Sequence, residues 1–460
     1  MFQFVAGNVA TLAVVIYLYK TYTNRVPFYV TAVTLVGMFF SFSVVVSLPI
    51  DIVHKMPQLL GYWKVLYWTM FNLTWFIIPF LTSFCRSGEF TFKKKCIGSV
   101  KENLLYYGIL VLLGIGLFIY LLLKKFSVDS IVSYSITVAT GYGLVLLICF
   151  MGYGLVEVPR DVWNFSNYSL QLRHSEVYAL RLKDKMAETK ENLDRIERQL
   201  KKIHTGPNAF EMQERTLVKL NSEMTKYTFR RERLEHEYRI NEQKAFKYQD
   251  ILQTRKSIER RFQSTLLEYS GFVSQFLWYW YQIEPWLYKF VSILLTASSL
   301  IIIWSQLFVY FDLSVLTLSK SPIIILLVLM YMSVCTFSSL VKVKIFEKYR
   351  LVKGHTESPS LLFFTGYFCK LSIPLCYDFL LLSKEQDSMF AQVMKQMDLI
   401  GQKFSLYVPI AIILVCCVTF FKPYKFLEDD FQDYENAREL IRLSRAEAEM
   451  KQSSSNENLI

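Results

Sequence analysis

Two ionisable side chains stand inside one otherwise apolar run, 359–382: Lys370 and Asp378. A charge at membrane depth costs several kcal/mol unless a polar cavity or a partner receives it, so the two form a candidate intramembrane polar site. Eight positions apart on a helix, they lie about 12 Å apart along its axis. They cannot pair directly in a straight helix, although Pro374 midway is able to bend it. Two other readings stay open: structural pairing with other helices, or Asp378 lying at the outer interface. A second cluster, Glu157, Pro159 and Arg160, joins an apolar run to a long polar segment. Proline restricts the residue before it to extended geometry, so the junction either transmits movement or terminates the membrane helix. Termination is the expectation.

Catalytic constellations are missing. The chain carries no HExxH, P-loop, GxSxG or paired carboxylates in a plausible cleft, and the reading is non-enzymatic. No CxxC pair or Cys/His cluster has zinc-site spacing, so neither metal nor cofactor is expected. Thr137-Val138-Ala139-Thr140-Gly141-Tyr142-Gly143 is similar to the TVGYG carbonyl filter of potassium channels. It lies, however, inside one apolar run from about 130 to 156, without the pore helix and extended loop a filter requires. Helix packing through small residues explains it better. Cys149, Cys335, Cys369, Cys376, Cys416 and Cys417 fall in apolar runs and read as small buried hydrophobes.

The elements holding these residues are membrane spans. Of 460 residues, 53% are apolar or aromatic and 20% charged, which fits neither a disordered chain nor an ordinary soluble enzyme. Apolar runs flanked by charge predict about nine spans, at 3–19, 29–50, 64–84, 103–123, 130–156, 286–310, 321–341, 359–382 and 404–421,. Asn72 and Thr74 weaken the third, and Lys370, Pro374 and Asp378 the eighth; each is either a span or a re-entrant piece. The first run reads as a membrane helix rather than a cleavable leader, and no lipid anchor is expected.

The net charge of +12 does not form a nucleic-acid stripe; its basic residues flank the spans. Arg86, Lys93, Lys94, Lys95 and Lys101 follow the third run, and Lys342, Lys344, Lys348, Arg350 and Lys353 the seventh. The connections after runs two, four, six and eight are poorer, with Lys55, Lys124, Lys125, Lys320 and Lys384 as most of their cations. The positive-inside rule then puts the N-terminus outside and the C-terminus in the cytosol. Plasma membrane and endolysosomal membrane both remain open.

Residues 157–285 read as a cytosolic helical hairpin. Leu172, Ala179, Met186, Leu193 and Leu200 recur every seven positions, with Leu182, Thr189, Ile196 and Ile203 as companions. After a break at Gly206-Pro207-Asn208 come Leu217, Met224, Arg231, Tyr238, Ala245 and Leu252, with Leu220, Tyr227, Leu234, Asn241 and Tyr248. These are a/d rows of a coiled coil, most simply an antiparallel one within the chain, with Arg231 and Asn241 setting register. Intermolecular pairing is the alternative. The aromatic stretch from Phe276 to Tyr288 reads as an interfacial anchor. Beyond Lys422, past the acidic Glu428-Asp429-Asp430, a charged tail is expected to form a short cytosolic helix with a frayed end.

MGYGLVEVPR (151–160), LTWFIIPFLTSFCRSGEF (73–90), CKLSIPLCYDFL (369–380) and ENARELI (435–441) resemble blocks of the limb region (LMBR-type) membrane protein family. Within it they are most similar to the domain-containing-protein-2 branch. Lys370 and Asp378 depart from the arginine and asparagine expected there. The resemblance implies nine spans with an outside N-terminus. It also brings several roles: lipocalin-receptor-like proteins, a lysosomal cobalamin export partner and, for this branch, a regulator of G-protein-coupled receptor signalling. One scaffold with several functions does not fix the role of one chain.

The fold class expected is all-α: a polytopic transmembrane bundle (1–156 and 286–421), a cytosolic antiparallel coiled-coil hairpin with its interfacial aromatic segment (157–285), and a charged tail (422–460). The function expected is a receptor or adaptor whose coiled coil gathers signalling or trafficking partners beside the bilayer. The alternative is a transporter, or transport partner, for a small molecule or lipid. Expected partners are the lipid bilayer and membrane receptors or cytosolic proteins, with a small ligand left open and no nucleic acid. Oligomeric state is not read.

Overall fold

The computed structural model describes residues 2–23, 26–123, 128–204, 210–256, 259–265, 269–308, 321–342, 349–385, 387–394, 403–421 and 431–457. The expectations placed on Lys124, Lys125, Lys320, Lys344, Lys348, Gly206–Asn208 and Glu428–Asp430 lie outside them. The described residues are helical throughout their regular structure, with no strand. In order they form α1 (Phe2–Tyr22), α2 (Phe28–His54), α3 (Leu59–Asn72), a π turn (Leu73–Ile77), α4 (Ile78–Arg86), α5 (Phe92–Leu123) and α6 (Val128–Phe165). There follow α7 (Tyr168–His204), α8 (Phe210–Lys256), α9 (Gly271–Leu307), α10 (Pro322–Lys342), α11 (Ser358–Ser383), α12 (Met389–Val393), α13 (Lys403–Phe421) and α14 (Phe431–Glu457).

Among the described residues, eight helices are long and apolar enough to cross a bilayer. The ninth expected span coincides with α13, whose apolar part, Tyr407–Phe421, is shorter than the other eight. The third run is one 28-residue helix, Leu59–Arg86, with the π turn inside it. The two residues that weaken the run bond within the helix: Asn72 Nδ2 donates to Trp68 O at 2.8 Å and Thr74 Oγ1 to Met70 O at 2.8 Å. Pro79 follows directly and offers no N–H to the carbonyl of Trp75, so a widened turn relieves the clash a proline ring makes with the preceding turn. The basic cluster Lys93–Lys95 lies in the first turn of α5 rather than in a loop.

The chain divides into two compact units, Met1–Glu157 with Ala297–Phe421, and Val158–Thr296 with Lys422–Ile460. In the first, α2 is the hub, packed on α1, α10 and α11. It runs parallel to α11: Ser41 Oγ meets Cys369 Sγ at 3.3 Å, and Lys55 at its end meets Asp387 just beyond α11 at 3.3 Å. Asp51, fully buried, accepts from Trp63 Nε1 at 3.1 Å and the Phe390 amide at 2.8 Å. It thereby ties α2 to α3 and α12. Of the cysteines expected to be buried, Cys335, Cys369, Cys376 and Cys416 are, whereas Cys149 and Cys417 are exposed.

In the second unit α7 and α8 pack antiparallel. Asn241 Nδ2 donates to Ser175 O at 2.7 Å, Tyr178 Oη to Glu237 at 2.8 Å, and Arg230 meets Glu188 at 3.5 Å. Position numbers thus fall on one helix as they rise on the other. Ala179, Leu182, Thr189, Leu193 and Ile196 are buried, as are Leu220, Leu234, Asn241 and Ala245. Arg231 is not a seam residue: it is exposed and pairs with Glu235 on its own helix at 2.8 Å. The tail departs further from expectation. α14 is 27 residues long and folds onto α7 and α8, burying Ala437 and Ile441. Ile441 joins Ala179, Ala245 and Phe246 in one apolar cluster. Arg445 clasps α8 through Asp250 at 3.0 Å, Gln249 at 3.1 Å and Gln253 at 3.3 Å.

Two prolines inside helices, Pro159 and Pro285, are accommodated by donors from elsewhere. Pro159 sits within α6, which continues unbroken to Phe165, so the junction does not end the helix. The carbonyl four residues before it, Leu155 O, lacks a proline N–H and instead accepts from Ser299 Oγ at 2.7 Å,. Pro285 lies within α9, so the aromatic segment expected at the interface is the early part of one 37-residue helix. Its freed carbonyl, Tyr281 O, accepts from Arg255 at 2.7 Å.

Candidate functional site

The first unit holds a cavity of about 40 Å³ where α3, the π turn, α6 and α11 converge, and Lys370 lines it. Pro374 bends the supply of hydrogen bonds at this level, since it removes the donor for the Lys370 carbonyl. α6 comes close there through Gly143. A Cβ at that position would lie 2.3 Å from Pro374 Cγ and 2.8 Å from Lys370 O, so only glycine permits the approach,. Gly154 similarly abuts the Cys335 carbonyl of α10. The small-residue reading of the GYG run therefore holds for Gly143.

The Lys370 ammonium sits among aromatic rings, 5.4 Å from the centroid of Tyr367, 5.6 Å from Tyr142 and 5.7 Å from Trp75. Such contacts contribute about 0.5–1 kcal/mol each, and more when desolvated. Three of them offset much of the roughly 2.5–3.5 kcal/mol that a lysine costs at the centre of a membrane helix. The π turn presents Trp75 to this cluster. Tyr67 and Thr140 reach the same cavity, each more than nine-tenths buried, and their hydroxyls have no hydrogen-bond partner.

Asp378 belongs to different surroundings. It is fully buried, and its Oδ2 accepts from Gln306 Nε2 of α9 at 2.8 Å. Asp378 Oδ1 and Gln306 Oε1 are both without partners. Lys370 and Asp378 thus form two sites and not one.

The junction residues are placed separately. Glu157 is buried, within range of the Lys342 charge at the end of α10. Pro159 O accepts from Ser292 Oγ at 2.8 Å, and Arg160 is half-buried. Reading the sequence missed Gln306, Tyr67, Thr140 and Trp75 as site residues, and Asp51, Asp250 and Arg445 as ties. The polar residues in apolar runs, Thr140 and Gln306, carried a signal; the aromatic ones did not stand out among many.

No solved structure matches the chain. It is 27% identical over 437 residues to the G-protein coupled receptor-associated protein LMBRD2 of Gallus gallus, covering 78% of this chain and 64% of that protein. The Homo sapiens protein of the same name is 26% identical, covering 78% and 63%. LMBR1 domain-containing protein 2 homolog A of Dictyostelium discoideum is 29% identical over 420 residues, covering 79% and 57%. The match thus spans less than two thirds of each relative's length. The family model described as LMBR1-like membrane protein matches residues 1–424, a stretch that takes in every apolar helix above, and the chain belongs to that family.

Proposed function

We propose that this chain is a non-enzymatic multi-pass membrane protein that associates with G-protein coupled receptors and regulates their signalling, or membrane trafficking, through its second unit. The observation that carries this reading is the long antiparallel pair α7–α8 with α14 clasped on it. A polar helical structure of this length offers extended faces to partner proteins. The name of the Gallus gallus and Homo sapiens relatives, receptor-associated, supports the choice of partner. The coiled-coil hairpin and α14 are read as cytosolic, with the N-terminus outside, on the distribution of Lys and Arg.

Chain parity supports nine crossings. α14 packs against α7 and α8, so the path from α9 to α14 must cross the bilayer an even number of times. α9, α10 and α11 supply three, and α13 supplies the fourth. At 19 residues α13 is about 28 Å long, close to the thickness of a hydrocarbon core.

The test is co-capture of tagged G-protein coupled receptors with the full chain and with one lacking the outer hairpin. Deleting residues 189–229 and closing the ends with a short Gly/Ser linker cuts both arms beside the Glu188–Arg230 pair. The inner ties Tyr178–Glu237 and Ser175–Asn241 stay. Lost capture with unchanged membrane insertion supports the proposal; unchanged capture contradicts it. The Lys370 cavity favours a second reading, a transporter or transport partner, which substrate flux in reconstituted vesicles would reveal.

A further inference from the structure

We infer that the Lys370 cavity is a binding site for a carboxylate, with Lys370 and the hydroxyls of Tyr67 and Thr140 as its donors. The inference rests on an imbalance. An ammonium, a phenol and a threonine hydroxyl all line one partly open space. The two hydroxyls, more than nine-tenths buried, meet no acceptor. Lys370 has aromatic faces around it but no carboxylate and no hydrogen-bond acceptor among the described residues. Buried polar groups in native proteins are nearly always satisfied, so a cavity holding one cation and two unpartnered hydroxyls, each able to donate, calls for a partner from outside the chain,.

Size and surroundings select the acceptor. A space of about 40 Å³ takes about three waters, which is room for the two oxygens of a carboxylate. One negative charge matches the single lysine. Much of the remaining lining is apolar, including Met70, Phe71 and Ile373, and Tyr142, which also lines the space, is 42% exposed. An acyl chain leaving through that side would lie among lipid tails. The same headgroup chemistry is also offered by small water-soluble carboxylates. Asp378 does not compete for Lys370, because it is engaged with Gln306 about 12 Å away along α11,.

The experiment uses the full chain in phosphatidylcholine nanodiscs, with oleate, methyl oleate and acetate as probes in equilibrium binding. Oleate binding with methyl oleate inert supports a carboxylate drawn from the bilayer. Acetate binding as tightly as oleate supports a carboxylate drawn from water. In either case Lys370→Gln should weaken binding at least tenfold and Lys370→Arg should retain it. Should Lys370→Gln fail to fold, the double variant Tyr67→Phe with Thr140→Val removes the hydroxyls and leaves the cation; a several-fold loss is expected. Equal binding by the wild type and these variants overturns the inference. So does methyl oleate binding as tightly as oleate, or no binding of either carboxylate.

Discussion

The close approach of α6 to α11 at the Lys370 cavity can be tested by comparing two glycines on one helix. At Gly143 a methyl group would meet the Pro374 ring at 2.3 Å and the Lys370 carbonyl at 2.8 Å, whereas at Gly141 it would meet nothing within 4 Å. Replacing glycine by alanine in a helix interior is worth about 1 kcal/mol in favour of alanine. Gly141→Ala should therefore be neutral or stabilising by up to about that amount. Gly143→Ala gains the same propensity but forces two backbones apart, and overpacking costs about 1–3 kcal/mol. The difference between the two variants isolates the packing cost. Thermal denaturation of detergent-solubilised full chains, followed by fluorescence-detected size-exclusion chromatography, ranks them without requiring reversibility. Gly143→Ala should lose its monodisperse peak several degrees below Gly141→Ala. Equal or reversed ranking would refute the contact and with it the description of the cavity wall.

Further outcomes follow from other ties. Arg445→Ala leaves Asp250, only 2% exposed in its side chain, with Thr265 as its remaining partner; the loss of about 1–3 kcal/mol should speed hydrogen exchange of α14 roughly tenfold or more. Asp378→Asn lets an amide donate to the unpartnered Gln306 Oε1 while still accepting from its Nε2, so thermal stability should rise by about 1 kcal/mol; a fall would show that the carboxyl itself is required. Burial in α7, with Arg173 adding to it, holds the His174 imidazole below its ordinary value of 6.5. The neutral form is favoured in the fold, so stability is present above about pH 6.5 and is lost as pH falls below it. Protection of amides across 168–182, with observed exchange divided by the intrinsic rate at each pH, should fall between pH 7.5 and 5.5, and His174→Gln should flatten that response.

What could be read from the sequence is what depends on local pattern. Long apolar runs announce spans because every backbone group in lipid must be satisfied within a helix, and heptad rows announce the pairing of α7 with α8. Pairings between distant positions left no such trace. Asp250 and Arg445 are 195 positions apart, and nothing near either one tells which cation meets which acid, so α14 read as a free tail. Lys370 and Asp378 stood out by charge alone, but the assumption that they form one site failed because each turns to a different neighbour. Pro159 read as a helix end because its missing N–H is visible and the hydroxyl of Ser299 that compensates for it is not. Arg231 fell on an ideal heptad position, yet α8 turns it to solvent, where the Glu235 carboxylate lies one turn along.

The second unit as a cytosolic partner platform requires α7 and α14 to lie on the same, inner side of the membrane. Single cysteines at exposed Glu191 (Glu191→Cys) and Glu439 (Glu439→Cys) report this when cells are treated with a membrane-impermeant maleimide and compared with the parent chain. Both should stay unlabelled in intact cells and both should label once the plasma membrane alone is permeabilised. Labelling of either in intact cells, or of one without the other after permeabilisation, would contradict the account.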